Sequence, residues 1–390
     1  MELRMYKYRI YPSTKQKVRL INSLKTCKTI YNELLALNID SWKYGKVFLS
    51  GFDCNKYLTD KYSNIHSQSK QNVSDRVHKA FRNFFRRVKD KSYKKKGFPR
   101  FKSKVNSVTF PQSGFKILSD KRISISKIGN IPFVLHRVPK GKIKTMTIKV
   151  NKANQWFAIF SCEVEAEKVK HPSKEKVGID VGLENFATLS NGESITNPRF
   201  LVKSEKRLKL LQRRLSRKKK GSKNRKKAKF KVSREHLKVV NQRTDFLHKL
   251  SRSLAFKYSV IAVEDLNIKN MLKNHWLAKS ISDASWNQFI QMLSYKEVKF
   301  GGQLLKNPRT RGSSHRCSKC GEWVDMPLSK RIFKCSCGNV CHRDLNASIN
   351  HLNDTVGTDC SKPNACGDST STTEQSVASG IVESGTIFGN

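Results

Sequence analysis

Three acidic residues occur where the pattern of the chain changes, and together they could hold metal ions. Asp180 interrupts the apolar run VGIDVGL, Glu264 closes the run SVIAVE, and Asp344 opens the helical segment RDLNASIN after a group of cysteines. Strand ends and helix starts of this kind can bring carboxylates to one edge of a sheet. Two Mg²⁺ ions held there hydrolyse phosphodiester bonds. The ordered set therefore predicts a metal-dependent nuclease.

Each carboxylate taken alone has an ordinary structural explanation. An aspartate at a helix start, such as Asp344, simply stabilises the helix N-terminus. Asp265 is an alternative ligand to Glu264, because a shift of one residue changes which side chain faces a given side of the sheet. An aspartate within an apolar strand is costly unless it is paired or liganded, which favours a ligand role for Asp180.

Five of the ten cysteines lie between Cys317 and Cys341. The spacing Cys317-x-x-Cys320, fourteen residues, then Cys335-x-Cys337 is close to that of a four-cysteine zinc ribbon, although the second pair is one residue short. Zinc could be held by this tighter knuckle, or Cys341 or His342 could replace one ligand. The alternative is a set of free thiols. Without a secretion signal, clustered cysteines indicate metal ligands more than disulfides.

The charge balance predicts a polyanionic partner. The chain of 390 residues carries 78 Lys+Arg against 30 Asp+Glu, a net charge of +48. Twelve basic residues face one acid between Lys79 and Lys104, and sixteen face one acid between Lys203 and Lys231. Self-repulsion of this size is tolerated when nucleic acid neutralises it. A membrane surface is disfavoured, because no apolar stretch approaches the length of a spanning helix and the charged N-terminus does not resemble a signal peptide. We expect a cytoplasmic protein.

The periodicity predicts several regions. YKYRIYP alternates like a strand, and residues 13–96 are helical, with Val18, Ile21, Leu24, Ile30 and Leu34 as the apolar stripe of the first helix. Short strands then follow to about residue 165, for which a small barrel is the natural solution. Asn191-Gly192 indicates a hairpin turn. The stretch from about Thr355 is polar and lacks periodicity, which predicts a disordered tail.

The chain resembles the TnpB family, the nucleases of bacterial and archaeal insertion sequences that are related to CRISPR type V effectors. The resemblance runs from about residue 4 to residue 350. It rests on YKYRIYP, FRNFFRRVKDKSYKKKGFPRFK, VGIDVGLENFATLSNG, RTDFLHKLS, VEDLNIKNM, SISDASWNQF, CSKCG and RDLNASIN, in that order.

The resemblance implies an α+β multidomain fold. Residues 1–12 and 97–168 are expected to form a wedge β-barrel, and residues 13–96 a helical recognition domain inserted in it. Residues 169–311 and 343–354 are expected to form a RuvC-like, RNase H-type nuclease domain, with residues 312–342 as an inserted zinc ribbon. Residues 355–390 are left as the disordered tail.

The resemblance also implies an RNA-guided DNA endonuclease, working as a monomer on one guide RNA from the 3′ end of its own element and cutting double-stranded DNA beside a short flanking motif. Asp180, Glu264 and Asp344 match the catalytic, magnesium-binding residues, and Cys317, Cys320, Cys335 and Cys337 match the zinc ligands. A cytoplasmic, nucleoid-associated prokaryotic protein follows. Candidate nucleic-acid contacts are Gln71, Gln112, Arg82, Arg86, Arg87, Lys218, Lys219 and Lys220.

Three alternatives remain. A guide-bound repressor without cleavage is suggested by the short cysteine knuckle, which lies beside the expected active site. A transposase is disfavoured, because the sequence shows no helix-turn-helix signature and no tyrosine motif flanked by paired histidines. A zinc-ribbon RNA-binding protein leaves the three carboxylates without a role.

Overall fold

The computed structural model describes residues 1–45, 47–90, 92–93, 95–165, 169–308, 312–327, 329–356 and 381–383. The chain divides into two compact units, Met1–Ala166 with Ser376–Asn390, and Glu167–Gln375. Each unit has its own hydrophobic core.

The first unit contains two sheets. Its strands are β1 (Glu2–Ile10), β2 (Ser107–Pro111), β3 (Phe115–Ile117), β4 (Arg122–Ile125), β5 (Gly129–Pro132), β6 (Lys142–Val150), β7 (Trp156–Val164) and β15 (Ile381–Glu383). The strand orders are β15-β1-β7-β6-β2 and β3-β4-β5. A bridge between Ile10 and Phe133 connects the second sheet to the end of β1. In β1 every second side chain is buried (Tyr6, Tyr8 and Ile10), as the alternating sequence predicted.

Three helices complete the first unit. They are α1 (Thr14–Gly45), α2 (Gly51–Tyr57) and α3 (Ser67–Lys89). The predicted apolar stripe of α1 is wrong at its start, because Val18 and Ile21 are 53% and 43% exposed. The buried face instead begins at Leu20, which lies about 200° around the helix from Val18. Two apolar faces overlap in this segment, and only packing against α3 and β2 selects the one that is covered.

The predicted disordered tail, residues 355–390, lies mostly outside the described residues. Within it, Thr355 and Val356 end the last helix, and the segment Ile381–Glu383 pairs in parallel with β1.

The second unit is built on one mixed sheet. Its strands are β8 (Lys176–Asp180), β9 (Asn185–Leu189), β10 (Ser194–Thr196), β11 (Val260–Glu264) and β12 (Gln303–Asn307), in the order β10-β9-β8-β11-β12. Strands β8, β11 and β12 are parallel, and β9 is antiparallel to both of its neighbours. The predicted Asn191-Gly192 turn is confirmed: it joins β9 to β10, and Gly192 has φ +89°, which a glycine adopts without strain.

Six helices and a small hairpin complete this unit. The helices are α4 (Phe200–Ser216), α5 (Lys223–Lys257), α6 (Ile268–Met271), α7 (His275–Ala284), α8 (Trp286–Phe300) and α9 (Arg343–Val356), and the hairpin strands are β13 (Ile332–Lys334) and β14 (Val340–His342). Helices α4 and α5 form a long basic hairpin. Within the described part of the chain, no helix combines the length and hydrophobicity needed to cross a membrane.

Helix α9 packs closely on β8 at Gly178, where any side chain would prevent this close approach. A Cβ atom on Gly178 would lie 1.9 Å from the carbonyl oxygen of Ser348 and 2.8 Å from the backbone nitrogen of Leu352. Both atoms belong to the α9 backbone, so neither can move without the helix. Since alternate residues of a strand share a face, Asp180 lies on the α9 side of the sheet as well.

We therefore expect Gly178→Ala to destabilise the second unit by roughly 3 kcal/mol or more, because overpacking against backbone cannot be relieved by a rotamer change. Thermal or urea unfolding checks this. Gly51→Ala is the matched control, because its Cβ would meet nothing within 4 Å and Gly51 has an ordinary φ. Equal stability of the two variants would contradict the close approach of α9.

Candidate active site

The sheet register brings the first two carboxylates together. Val263 on β11 pairs with Ile179 on β8, so Glu264 and Asp180 follow at matching positions on adjacent parallel strands. Neighbouring strands are about 4.8 Å apart, and residues in register project on the same face. Asp180 and Glu264 consequently extend from the carboxyl ends of two strands toward the same side of the sheet.

Helix α9 supplies the third carboxylate. Asp344 lies in its first turn and is 8% exposed. All three carboxylates line one cleft of about 580 Å³, together with Arg331, Arg343 and other residues of the second unit. Asp344 is thus more than a helix-capping charge, because it faces a cleft that already contains two acids.

Asp265, the alternative to Glu264, does not lie in this cleft. It is exposed, and its backbone N–H donates to the carbonyl of Asn307 at 2.9 Å. The strand pleat therefore favours Glu264 as the ligand, because consecutive residues of a strand point to opposite faces.

The three acids repel one another. Burial and the nearby charges of Asp344 and Glu264 raise the pKa of Asp180 well above its usual range, although the Arg343 guanidinium partly opposes this. The Nε and Nη1 atoms of Arg343 are buried without a hydrogen-bond partner among the described residues. Several carboxylates gathered at one site are stabilised by a divalent cation, which favours their ionised forms.

His351 is a buried neighbour of this site that the sequence interpretation missed. It is 1% exposed, and its Nε2 lies 3.9 Å from Oδ1 of Asp180. Burial lowers the pKa of His351 to about 4, so its ring is neutral near pH 7. A sequence signal did exist: His351 follows Asp344 by seven residues, which places both on one face of α9.

The four predicted zinc ligands form one cluster. The Sγ atoms of Cys317 and Cys337 are 3.6 Å apart, those of Cys320 and Cys335 are 3.5 Å apart, and all four lie within 4.8 Å of one another. Tetrahedral zinc with Zn–S bonds of about 2.3 Å requires Sγ–Sγ distances of roughly 3.8 Å. The thiols therefore fit a zinc ion with small adjustments.

A tight turn compensates for the missing residue of the second pair. The N–H of Gly338 donates to the carbonyl of Cys335 at 3.1 Å, and Gly338 has φ +83°. Cys341 and His342, which could have replaced one of the cysteines, are not part of the cluster. Cys341 instead packs on a small core around Phe333.

The surroundings of Cys317 also suit a metal ligand. Burial raises its thiol pKa, but the backbone N–H groups of Cys320 and Lys319 and the Asn339 side chain outweigh this and lower the pKa to about 6. Donors aimed at a sulfur stabilise the thiolate, which is the form that binds zinc. The same segment supplies one wall of the carboxylate cleft through Gly312–His315 and Asp325–Pro327.

The candidate nucleic-acid contacts of the first unit lie on and beside α3. Gln71 and Arg82 are exposed on this helix. Gln112, with φ +56°, lies in the loop after β2. That loop is tied to α3, because the N–H and hydroxyl of Ser113 donate to Oε1 of Gln68, one turn before Gln71.

Two of the arginines on α3 have a different environment. Arg87 donates from Nε to the carbonyl of Lys96 at 3.0 Å and from Nη2 to the carbonyl of Gly97 at 2.8 Å. It therefore holds the loop after α3, which takes up part of its donor capacity. Arg86 is half-buried, with its Nε atom enclosed.

In the second unit, Lys218, Lys219 and Lys220 form the turn between α4 and α5, and all three are exposed. Arg225 closes this turn by donating to the carbonyls of Leu215 and Lys218 at 3.0 and 2.8 Å. The turn thus presents three exposed lysines at the tip of a basic helical hairpin.

Family models match three parts of the chain. Residues 159–275 match OrfB_IS605, described as "Probable transposase", and residues 286–351 match "Cas12f1-like, TNB domain". Residues 1–46 match a model described as "Helix-turn-helix domain", whereas the sequence had shown no such signature. In the structure this range forms strand β1 and the single long helix α1, with no break inside the described part of α1.

Similar proteins extend along most of the chain. A protein of Streptomyces pristinaespiralis is 34% identical over 90% of this chain and 88% of its own length. One from Escherichia coli (strain K12) is 29% identical over 89% of this chain and 90% of its own length. Both carry the curated name "Putative RNA-guided DNA endonuclease", the second with the addition InsQ.

A solved structure shares the mixed α+β fold. The protein chain in the cryo-EM structure of a Cas12f1–sgRNA–target DNA complex superposes with a TM-score of 0.55 at 16% identity, over 88% of this chain and 84% of that one.

Proposed function

The chain belongs to the TnpB family, and on this premise we propose that it is an RNA-guided DNA endonuclease of a transposable element. The observation that carries the proposal is the convergence of Asp180, Glu264 and Asp344 on one cleft. An RNA-binding protein or a guided repressor has no need for three mutually repelling carboxylates. Full-length relatives with the matching name support the proposal further.

We propose that the three carboxylates hold two Mg²⁺ ions. When bound, such ions supply a nucleophilic water and neutralise charge on the phosphate that is cut. The charges of Asp344 and Glu264 both raise the pKa of Asp180, so Asp180 would be a ligand in close reach of the other two carboxylates. Arg343 lines the cleft, so its positive charge is suited to stabilise a phosphate bound there.

We propose that zinc is structural and is held by Cys317, Cys320, Cys335 and Cys337. Zinc would stabilise the fold of the ribbon. Because residues of the same segment line the cleft, the ribbon also shapes the active site. The closed thiol cluster removes the main reason to favour a cleavage-deficient repressor, since the short knuckle still brings all four sulfurs together.

The domain organisation is also a proposal. The mixed five-stranded sheet, with carboxylates at the ends of two adjacent parallel strands, supports a RuvC-like, RNase H-type nuclease domain at residues 169–311 and 343–354, with the ribbon at 312–342. The two linked sheets of the first unit support a wedge barrel at residues 1–12 and 97–168, and its helices a recognition domain at 13–96.

The proposed partners are a guide RNA from the 3′ end of the element and double-stranded DNA, bound by one copy of the chain in the cytoplasm at the nucleoid. The net charge of +48 supports extended phosphate contacts. Such contacts position a nucleic acid without reading its sequence, so guide pairing must select the target.

Purification of the chain from cells that carry its native locus tests this function. We expect one discrete RNA species that ends in a segment from beyond the 3′ boundary of the gene, and Mg²⁺-dependent cutting of DNA that matches this segment. A mixture of unrelated cellular RNAs, with no guide-matched cleavage, would contradict RNA guidance. A scrambled guide segment is the matched control for cleavage.

A further inference from the structure

The imidazole ring of His351 is buried, and its nitrogens make no hydrogen bond to the part of the chain that the structure describes. Its side chain is 2% exposed, and neither ring nitrogen has a partner among the described residues. A neutral imidazole carries one donor and one acceptor nitrogen, and buried polar groups of this kind almost always have partners. We therefore expect an ion or a solvent molecule to be bound to a ring nitrogen of His351.

The nearest polar groups are two of the proposed metal ligands. A ring nitrogen of His351 and one carboxylate oxygen each of Asp180 and Glu264 all lie within 4.8 Å of one another, and Nε2 is the nitrogen that approaches Asp180. The 3.9 Å separation from Oδ1 of Asp180 is too long for a hydrogen bond. Neighbouring ligands of one ion, each about 2.1 Å from it, are roughly 3 Å apart. A small rotation of the carboxyl groups would bring the three atoms to that spacing.

The backbone holds His351 at this position. The side chain of Asn307, which ends β12, donates to the carbonyl of His351 at 2.7 Å. One turn earlier, the Ser348 carbonyl rests directly on Gly178. Helix α9 thus carries Asp344 at the cleft and His351 seven residues further on. Both of these α9 residues are neighbours of Asp180.

We propose that His351 Nε2 is a metal ligand, and that with Asp180 and Glu264 it forms an ion position that takes Mn²⁺ in preference to Mg²⁺. This inference rests on the proposed function for the identity of the carboxylate site. Mg²⁺ strongly prefers oxygen ligands, whereas Mn²⁺ binds carboxylates equally well and, as a first-row transition ion, accepts an imidazole nitrogen more readily than Mg²⁺ does. A position with two carboxylates and one imidazole is therefore suited to a transition ion.

Pulsed electron paramagnetic resonance on Mn²⁺ bound to the RNA-free, zinc-loaded full chain tests the proposal directly. We expect the wild-type spectrum to show the nitrogen coupling of one imidazole. His351→Leu, which keeps the buried site apolar, should lose this coupling and bind Mn²⁺ about 10- to 100-fold more weakly. Affinity for Mg²⁺, measured by competition, should fall by a smaller factor.

His342 offers a matched control. Its Nδ1 also lies 3.9 Å from a carboxylate, that of Asp344, but its side chain is 38% exposed and its Nδ1 accepts a hydrogen bond from the Asp344 N–H. His342→Leu should keep both the coupling and the Mn²⁺ affinity. Asp180→Asn should lose the Mn²⁺ signal, which shows that the ion is at this site.

Absence of imidazole coupling in the wild-type spectrum would overturn the proposal even if His351→Leu fails to fold, and so would coupling that persists in that variant. Coupling confined to proteins with His351 supports it. The readout needs neither guide nor target, so imidazole coupling in a protein that never cuts DNA would overturn the proposed function and leave the metal ligand intact.

Discussion

Replacing Asp180 with asparagine is expected to abolish DNA cleavage and, at the same time, to raise the melting temperature of the metal-free protein. Cleavage should fall by at least about 1,000-fold, because a hard cation loses a charged ligand and several kcal/mol of transition-state stabilisation. Stability should rise because burial and the charges of Asp344 and Glu264 make an ionised Asp180 unfavourable. Asparagine has the same shape and carries no charge.

The raised pKa of Asp180 also predicts how the stability of the metal-free protein changes with pH. The pKa of Asp180 is raised in the folded protein above the ordinary value of 3.8, so the folded state retains a proton that the unfolded state has lost. The resulting stabilisation is fully present below that ordinary value and is lost as pH rises through the raised pKa. In EDTA, the melting temperature of the wild type should therefore decrease over this window, whereas that of Asp180→Asn should decrease less.

Differential scanning calorimetry in EDTA, with cleavage assays in Mg²⁺, measures both effects. Asp265→Asn is the matched control, because Asp265 is exposed and lies outside the cleft; it should change neither quantity appreciably. Addition of Mg²⁺ should stabilise the wild type more than Asp180→Asn. Cleavage within tenfold of wild type, or a lowered melting temperature for Asp180→Asn, would contradict the assignment of this residue.

Loss of zinc is expected to have the second largest effect. Cys320→Ser removes one of four thiolates, so the purified variant should contain close to no zinc, whereas the wild type should contain one ion per chain. The ribbon has only a small core, around Phe333 and Met326, so we expect it to depend on a bound metal for its folding energy. Cleavage should fall about 100-fold, because the ribbon forms a wall of the cleft and small displacements of a site are costly.

Elemental analysis and proteolysis of residues 312–342 check this result. Cys341→Ala is the control, since Cys341 lies outside the thiol cluster; it should keep its zinc and most of its activity. A zinc-free wild type with full cleavage activity would show that the short Cys335-x-Cys337 knuckle has lost its metal role.

Helix α1 shows where sequence patterns reach their limit. Val18 and Ile21 continue the spacing of Leu24, and by periodicity alone they belong to the same stripe. In the structure they face solvent while Leu20 is buried. Both faces satisfy a helical repeat, and the choice between them depends on which one α3 and the sheet cover.

The sequence by itself predicted the three carboxylates and the four cysteines as ligands, because their chemistry requires particular residue types next to recognisable strand ends, helix starts and Cys-x-x-Cys spacing. The tertiary structure placed Glu264 in the cleft and Asp265 outside it, kept Cys341 and His342 out of the thiol cluster, and brought His351 beside Asp180. Strand register, helix approach and side-chain burial set these outcomes. They depend on contacts between residues far apart in the chain, which local patterns do not encode.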